Sequence, residues 1–288
     1  MSIKKNILVT GANGQLGMEF RAIKKNFPSY NFLFASREEL SIDDEDSINK
    51  YFSSCTIDYC INCAAYTAVD KAETEKEQAI SINTIAVGNL ASVCKRNNTL
   101  FFHFSTDYVF NGEAAVAYKE TDATDPVNFY GQTKLQGEQE SLKNNDQSIV
   151  IRTSWVYSRY GKNFVKTMLR LMDERESIGV VADQYGCPTY AADIAAAVMQ
   201  IIHTSKFVPG IYHYCNDGII SWHQFATAIK ELSNSKCIIN AIETLAYPTP
   251  AARPHFSALD TQKIKQEYSL GINGWRESLA ICMNEIKL

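Results

Sequence analysis

Short apolar runs that alternate with helical patterns of 10–20 residues predict an α/β chain built on a parallel sheet. Two further observations refine that class. Gly11, Gly14 and Gly17 space a turn between the first run and the first helix, the arrangement of a doubly wound sheet of Rossmann type. After Val156 the alternation loosens, which predicts a smaller C-terminal substrate-binding lobe. The expected division is a dinucleotide-binding domain over residues 1–155 and mainly the lobe over 156–288. No Gly/Ser linker separates the two, so the chain is expected to cross back into the first domain.

The elements follow in order. Residues 7–10 are an apolar run and read as the first strand, and 15–26 as the first helix. The second strand covers 32–35, a short helix 46–52 and the third strand 57–64. Over 77–97, Ala79, Ile82, Ala86, Leu90 and Val93 recur at helical spacing, so one long helix is expected. Residues 100–104 are the fourth strand, 130–142 a helix and 149–152 the fifth strand. In the second part, helices are expected near 163–175, 191–204 and 221–232, and strands at 178–182 and 210–215. Pro248, Pro250 and Pro254 exclude regular helix from 247–254.

Composition removes several function classes. With 288 residues, 45% of them hydrophobic and 21% charged, the chain can bury a sizeable core and is neither disordered, collagenous nor coiled coil. Lys and Arg number 28 against 32 Asp and Glu, a net charge of −4, which argues against nucleic acid as the main partner. No run approaches the ~18 apolar residues of a membrane span. The first apolar run, four or five residues long, is too short for a signal-peptide core, so the cytoplasm is the expected compartment. Cys60 and Cys63 are spaced C-x-x-C but lie in an expected buried strand, and no second pair completes a zinc site. All eight cysteines are expected to be structural, and no metal is expected.

Three constellations carry chemistry. In Thr10-Gly11-Ala12-Asn13-Gly14-Gln15-Leu16-Gly17, Gly11 permits a tight turn, Gly14 lets backbone approach a pyrophosphate, and Gly17 lets helix and strand pack closely. The helix N-terminus then offers its N–H groups to the anion. At the end of the second strand, Ser36 and Arg37 stand where an NAD-specific site presents a carboxylate; a hydroxyl and a guanidinium suit the 2′-phosphate of NADP(H). Tyr130 and Lys134, four apart, share one helix face. An ammonium beside a phenol favours the phenolate, so Lys134 is expected to lower the Tyr130 pKa and to bond ribose hydroxyls. At the end of the fourth strand, Ser105 and Thr106 are both candidates for a hydroxyl that orients the substrate oxygen.

Together with Asn62-Cys63-Ala64-Ala65 after the third strand, these features resemble the extended short-chain dehydrogenase/reductases. Residues 63–73, 104–110, 152–157, 163–168, 183–189 and 247–254 are similar to the dTDP-4-dehydrorhamnose reductase branch of that family. The resemblance implies that NADPH delivers hydride to C4 of dTDP-4-dehydro-β-L-rhamnose, giving dTDP-L-rhamnose for cell-surface polysaccharide. It implies Thr106, Tyr130 and Lys134 as the catalytic triad, and Asp107 and Trp155 on the sugar with Val69 nearby. Gly14, Gln15 and Leu16 would contact the pyrophosphate, and Ala65, Tyr66 and Thr67 the adenosine and ribose side. Phe104 and Lys134 would complete the cofactor site, with Glu39 and Leu40 beside the adenine.

Members with Asp at the second strand's end accept both cofactors; Ser36 and Arg37 tilt this chain toward NADPH over NADH. Members that pair through Mg²⁺ hold it with helix carboxylates. Glu19 matches one such position, but Ala192, next to Asp193, stands where the later Glu is expected, so Mg²⁺-linked pairing is not expected. The chain is compatible with a monomer or a homodimer. The rivals are a 4,6-dehydratase or 4-epimerase of the same fold, and a non-catalytic relative of the regulatory subunit of methionine adenosyltransferase. Tyr108 stands where a dehydratase has Glu, and the Thr106–Tyr130–Lys134 set favours catalysis over binding alone.

Overall fold

The computed structural model describes residues 4–287; residues 1–3, where the N-terminal reading begins, and Leu288 lie outside them. The first half of the chain is regular α/β. Strand β1 (Lys5–Thr10) leads into α1 (Gln15–Ile23), β2 (Tyr30–Ala35), α2 (Glu45–Ser54) and β3 (Tyr59–Asn62). Short helices α3 (Val69–Ala72) and α4 (Lys76–Ile80) precede α5 (Ala86–Arg96), β4 (Leu100–Thr106), α6 (Phe129–Asn144) and β5 (Ser148–Thr153). Beyond it come β6 (Val156–Tyr157), α7 (Phe164–Glu174), β7 (Ser177–Val181), β8 (Tyr185–Gly186), β9 (Thr189–Tyr190) and α8 (Ala191–His203). The chain ends through β10 (Gly210–His213), β11 (Ile220–Ser221), α9 (Trp222–Ser233), β12 (Ile238–Ile242), α10 (Gln262–Tyr268) and α11 (Trp275–Lys287).

Six parallel strands form the main sheet in the order β2-β1-β3-β4-β5-β10. Its central strands carry apolar residues on both faces, as a sheet covered on both sides requires. Ile7, Val9, Phe102 and Ile151 face one core, into which α8 and Tyr212 of β10 pack. Leu8, Cys60 and Phe101 face the other, beneath α2 and α5. The sheet is thus completed by a strand that follows the first five by more than fifty residues in sequence. A separate core holds α7, α9 and α11 together around Met168, Phe225 and Met283. The strand order reverses between β1 and β3, and in such sheets the carboxyl ends open a crevice at that point.

The expected helix over 77–97 is the main departure. The chain forms α4, then a π turn over Ser81–Ile85, then α5. The widened turn frees the Asn83 side chain for a tertiary role. Its Oδ1 accepts from the Tyr66 amide at 2.9 Å, and its Nδ2 donates to the Tyr66 carbonyl at 3.0 Å and to Thr133 Oγ1 at 3.1 Å. Inserted turns of this kind recur at functional sites. Strand β3 is shorter than expected because residues 63–65 leave the sheet to cross the glycine turn. All eight cysteines are free thiols, with Cys60 buried in β3.

Candidate active site

The carboxyl edge of the sheet is aligned by its register. Thr10 pairs with Ala35 and Asn62, and Thr106 with Thr153, so the loops after β1, β2, β3, β4 and β5 emerge side by side. At the strand reversal Gly11 has φ +60°, and a Cβ there would lie 2.6 Å from the Ala64 nitrogen. A Cβ on Gly17 would lie 2.6 Å from the Gly11 carbonyl oxygen. Both positions therefore demand glycine, the first for conformation and the second for packing. Gly14 caps α1 without a side chain, leaving the first-turn N–H groups from Gln15, Leu16 and Gly17 directed out of the helix end. Gln15 also reaches sideways, accepting from Asn163 Nδ2 at 2.8 Å.

Beside this turn lies a cavity of about 290 Å³ whose wall includes Gly11, Gly14, Arg37, Leu40, Ala64 and Ala65. A glycine turn, a helix N-terminus and an apolar side wall fit a dinucleotide. Ser36 is buried, while Arg37 is 66% exposed and paired with Asp43 at 3.3 Å. Glu39 accepts from the Ser36 amide at 2.8 Å, so its carboxylate is turned onto the backbone, and Glu38 rather than Glu39 joins Leu40 in the cavity wall. Tyr66 is buried, its backbone held by Asn83 and its hydroxyl donating to Glu75 at 2.7 Å; Thr67 is exposed. Val69, half-buried, opens α3.

The residues expected to react lie around the end of β4. Thr106 Oγ1 donates to Asp107 Oδ1 at 2.9 Å and accepts from the Tyr108 amide at 3.2 Å. Tyr130 sits in the first turn of α6, which Asn128 caps by accepting from the Gly131 amide at 2.8 Å. The helix is fixed to β5 by a buried bidentate pair, Arg152 donating to Glu138 at 2.9 and 2.7 Å. One turn on from Tyr130, the buried Lys134 donates through Nζ to the Phe104 carbonyl at 2.6 Å.

Burial dominates the electrostatics here. It raises the Asp107 carboxyl to about 6, with hydrogen bonds from Ser257 and Thr106 partly offsetting it. It lowers Lys134 to about 8, opposed by the Glu138 carboxylate. The Tyr130 phenol departs from the sequence expectation: burial raises its pKa, Asp107 adds to the rise, and the Thr106 hydroxyl only partly offsets it. Lys134, engaged by the Phe104 carbonyl, does not overcome that desolvation. The site thus holds the Tyr130 proton more firmly than water would, the opposite of the expected lowering. Ser105, the other hydroxyl candidate, is buried with its Oγ unpartnered among the described residues.

Trp155 lies two residues beyond Thr153, the strand partner of Thr106. Its backbone is left-handed, φ +47°, and its half-buried indole stacks on Trp222 with centroids 3.4 Å apart. Gly186 presses on the same indole. Trp222 carries no local sequence signal, and Gly186, though within the 183–189 segment of the resemblance, meets Trp155 only through tertiary contact.

Glu19 is buried on α1 and accepts from Ser158 Oγ at 2.6 Å. Arg159 stands 3.7 Å from Glu19 and 3.2 Å from Glu285, which also accepts from the Tyr190 hydroxyl. The positive charge between these carboxylates is a guanidinium. Ala192 packs against the core that holds α7, α9 and α11, and Asp193 is held by Asn216 and Ser278. Among the described residues no three His, Cys, Asp or Glu side chains converge as metal ligands. With Arg159 between Glu19 and Glu285 and an alanine at 192, this carboxylate pair already faces a cation of the chain's own.

Comparison with known proteins bears on this arrangement over its full length. Residues 5–288 match the family described as RmlD substrate binding domain. The chain is 42% identical to the dTDP-4-dehydrorhamnose reductase of Aggregatibacter actinomycetemcomitans, over 95% of this chain and 96% of that protein. The chain belongs to the dTDP-4-dehydrorhamnose reductase family. The Escherichia coli K12 reductase is 38% identical, with 98% of each chain covered. The crystal structure of the Bacillus anthracis reductase, in complex with NADP, superposes with a TM-score of 0.94 at 37% identity, covering 98% of this chain and 100% of that one. The match thus spans both the six-stranded sheet and the helices around Trp222. No helix among the described residues is long and apolar enough to cross a membrane.

Proposed function

We propose that this chain reduces the C4 ketone of dTDP-4-dehydro-β-L-rhamnose with NADPH, giving dTDP-L-rhamnose for cell-surface polysaccharide. The observation that carries the reading is that Thr106, Tyr130 and Lys134 gather around the end of β4, on the same sheet edge as the cavity at the glycine turn. Bound NADPH supplies the hydride. The first turn of α1 and the backbone at Gly14 receive the pyrophosphate, and Arg37 meets the 2′-phosphate with charge-assisted donors. Ala65, Tyr66 and Thr67 flank the adenosine and ribose side, next to Leu40.

Lys134 bonds the nicotinamide ribose hydroxyls in place of part of its bond to Phe104. Tyr130 keeps a proton on its phenol oxygen and donates it to the C4 oxygen, while Thr106 orients both oxygens. Asp107 accepts from a sugar hydroxyl, and Val69 and Trp155 cover the apolar side of the deoxysugar and exclude water. Tyr108 in place of a second acid favours this reading over a dehydratase. The presence of Thr106, Tyr130 and Lys134 together supports a reductase rather than a binding subunit. Both reactants are water-soluble metabolites, and we assign the reaction to the cytoplasm.

The test is incubation of purified protein with dTDP-4-dehydrorhamnose and NADPH, following loss of reduced-nicotinamide absorbance and the sugar product. Stoichiometric consumption of NADPH with formation of dTDP-L-rhamnose is expected. No consumption, or isolation of the protein with tightly held NAD that does not exchange, would overturn the reading in favour of an epimerase or dehydratase.

A further inference from the structure

Trp155 is held in a conformation that few non-glycine residues adopt, φ +47°. Backbone of this kind persists only where the surroundings over-determine it. Two neighbours supply that constraint. The Trp222 indole lies parallel to it, 8° between planes and 3.4 Å between centroids. Gly186 closes on the same ring: a Cβ there would lie 2.7 Å from Cε2, 2.8 Å from Nε1 and 2.9 Å from Cζ2.

These two neighbours are not independent. Gly186 pairs with Ile220, and Tyr185 with Ser221, in the antiparallel β8–β11 ladder, and Trp222 follows Ser221 directly. Ser221 is locked by a capping box, its Oγ accepting from the Gln224 amide at 3.2 Å while its own amide donates to Gln224 Oε1 at 2.8 Å. Phe164 also packs on Trp222, with ring centroids 4.6 Å apart. One short ladder therefore sets both contacts. Thr106 reaches the same edge of the molecule through its pairing with Thr153.

We infer that Gly186 and Trp222 are positioning residues for sugar recognition, a clamp that fixes the Trp155 indole against the deoxysugar and so sets where C4 lies relative to Tyr130. The inference rests on the reading that Trp155 touches the sugar. A tryptophan needed only for packing would be served by any snug apolar surround; a left-handed backbone with a glycine-only contact sets the ring in one orientation.

The experiment compares Trp155→Ala, Trp222→Ala, Trp222→Phe and Gly186→Ala, each as the full chain. Melting temperature, near-UV circular dichroism and the KM values for dTDP-4-dehydrorhamnose and NADPH are measured. Misplacing a positioned group by about an ångström costs up to about a hundredfold. Trp222→Ala and Gly186→Ala are expected to raise the sugar KM by about tenfold or more. The NADPH KM should stay within about twofold, and Trp222→Phe, which keeps a flat ring under Trp155, should restore most of the loss. The near-UV signal of the stacked indoles should fall in Trp222→Ala. If Trp155→Ala raises the sugar KM but folded Trp222→Ala and Gly186→Ala do not, the clamp is overturned while the role of Trp155 stands. If none of the variants moves the sugar KM, both fall. If Trp222→Ala does not fold, Trp222→Phe and Gly186→Ala decide: an unchanged sugar KM in a folded Gly186→Ala overturns the clamp.

Discussion

Tyr130 shows how one side chain's surroundings select the direction of a proton. Burial and Asp107 raise its phenol above the ordinary value, so it keeps its proton more firmly than a free tyrosine, and its proposed role is donation. Tyr130→Phe should lower kcat by ~10²–10⁴ and leave NADPH affinity intact; a variant that keeps wild-type turnover would remove Tyr130 from the reaction. Asp107 carries the complementary cost. Its folded pKa of about 6 lies above the ordinary carboxylate value, so the folded state binds more protons between about pH 4 and pH 6. Stability therefore falls as pH rises through that window, and above it the penalty is fully present, roughly 2–3 kcal/mol. Asp107→Asn should raise the melting temperature more at about pH 7.5 than at about pH 5 while raising the sugar KM; an equal gain at both pH values would contradict the buried carboxylate. At Arg37 the expectation is more modest because the guanidinium is exposed. Arg37→Glu should raise the NADPH KM about tenfold and spare NADH, the contrast shrinking with added salt. An unchanged NADPH KM would mean the cation points elsewhere.

Among the elements, α6 and the π turn before α5 depend on one another. A Cβ on Gly137 would lie 2.1 Å from the Asn83 carbonyl oxygen, so α6 approaches the turn at backbone distance. The Asn83 side chain, in turn, holds the Tyr66 backbone beside the cofactor cavity. Gly137→Ala should push the two apart, costing about 1–3 kcal/mol and raising the NADPH KM as the Tyr66 loop shifts. Melts and NADPH titrations check both, and a stability loss with unaltered cofactor affinity would separate the turn from the loop. This element also marks how far the sequence can be read. The strands were legible because runs such as Ile7-Leu8-Val9 must be buried on both faces, and the nucleotide turn because Gly11 and Gly17 have steric reasons to be glycine. The π turn was not, since Asn83 keeps helical spacing on either side and its reason lies in Tyr66 and Thr133. Trp222 was hidden for the same cause, the contact of Gly186 with Trp155 likewise, and the Tyr130 pKa was misjudged because desolvation does not show in a four-residue spacing.

For the molecule as a whole, α1, the segment after β6 and α11 meet at Arg159, which faces Glu19 and Glu285 together. The fixed guanidinium takes the part a divalent cation plays between carboxylates. A chelator should change neither activity nor melting temperature. Arg159→Ala, which leaves the buried Glu19 without its cation, should cost about 1–3 kcal/mol, below the usual range for a buried pair because the guanidinium reaches solvent. Loss of stability on chelation alone would refute the assignment.

The sheet's last strand has a consequence for synthesis. β5 is an edge until β10 pairs with it, and residues 154–209 must be translated first. At ~5–20 residues per second the nascent chain leaves the ribosome with that edge bare for roughly 3–11 s. During that interval the backbone of residues 148–153 is a template for any other extended chain nearby. A stop codon at the apparent end of the nucleotide-binding half would make the interval permanent, so the shortest product that escapes aggregation should extend past β10.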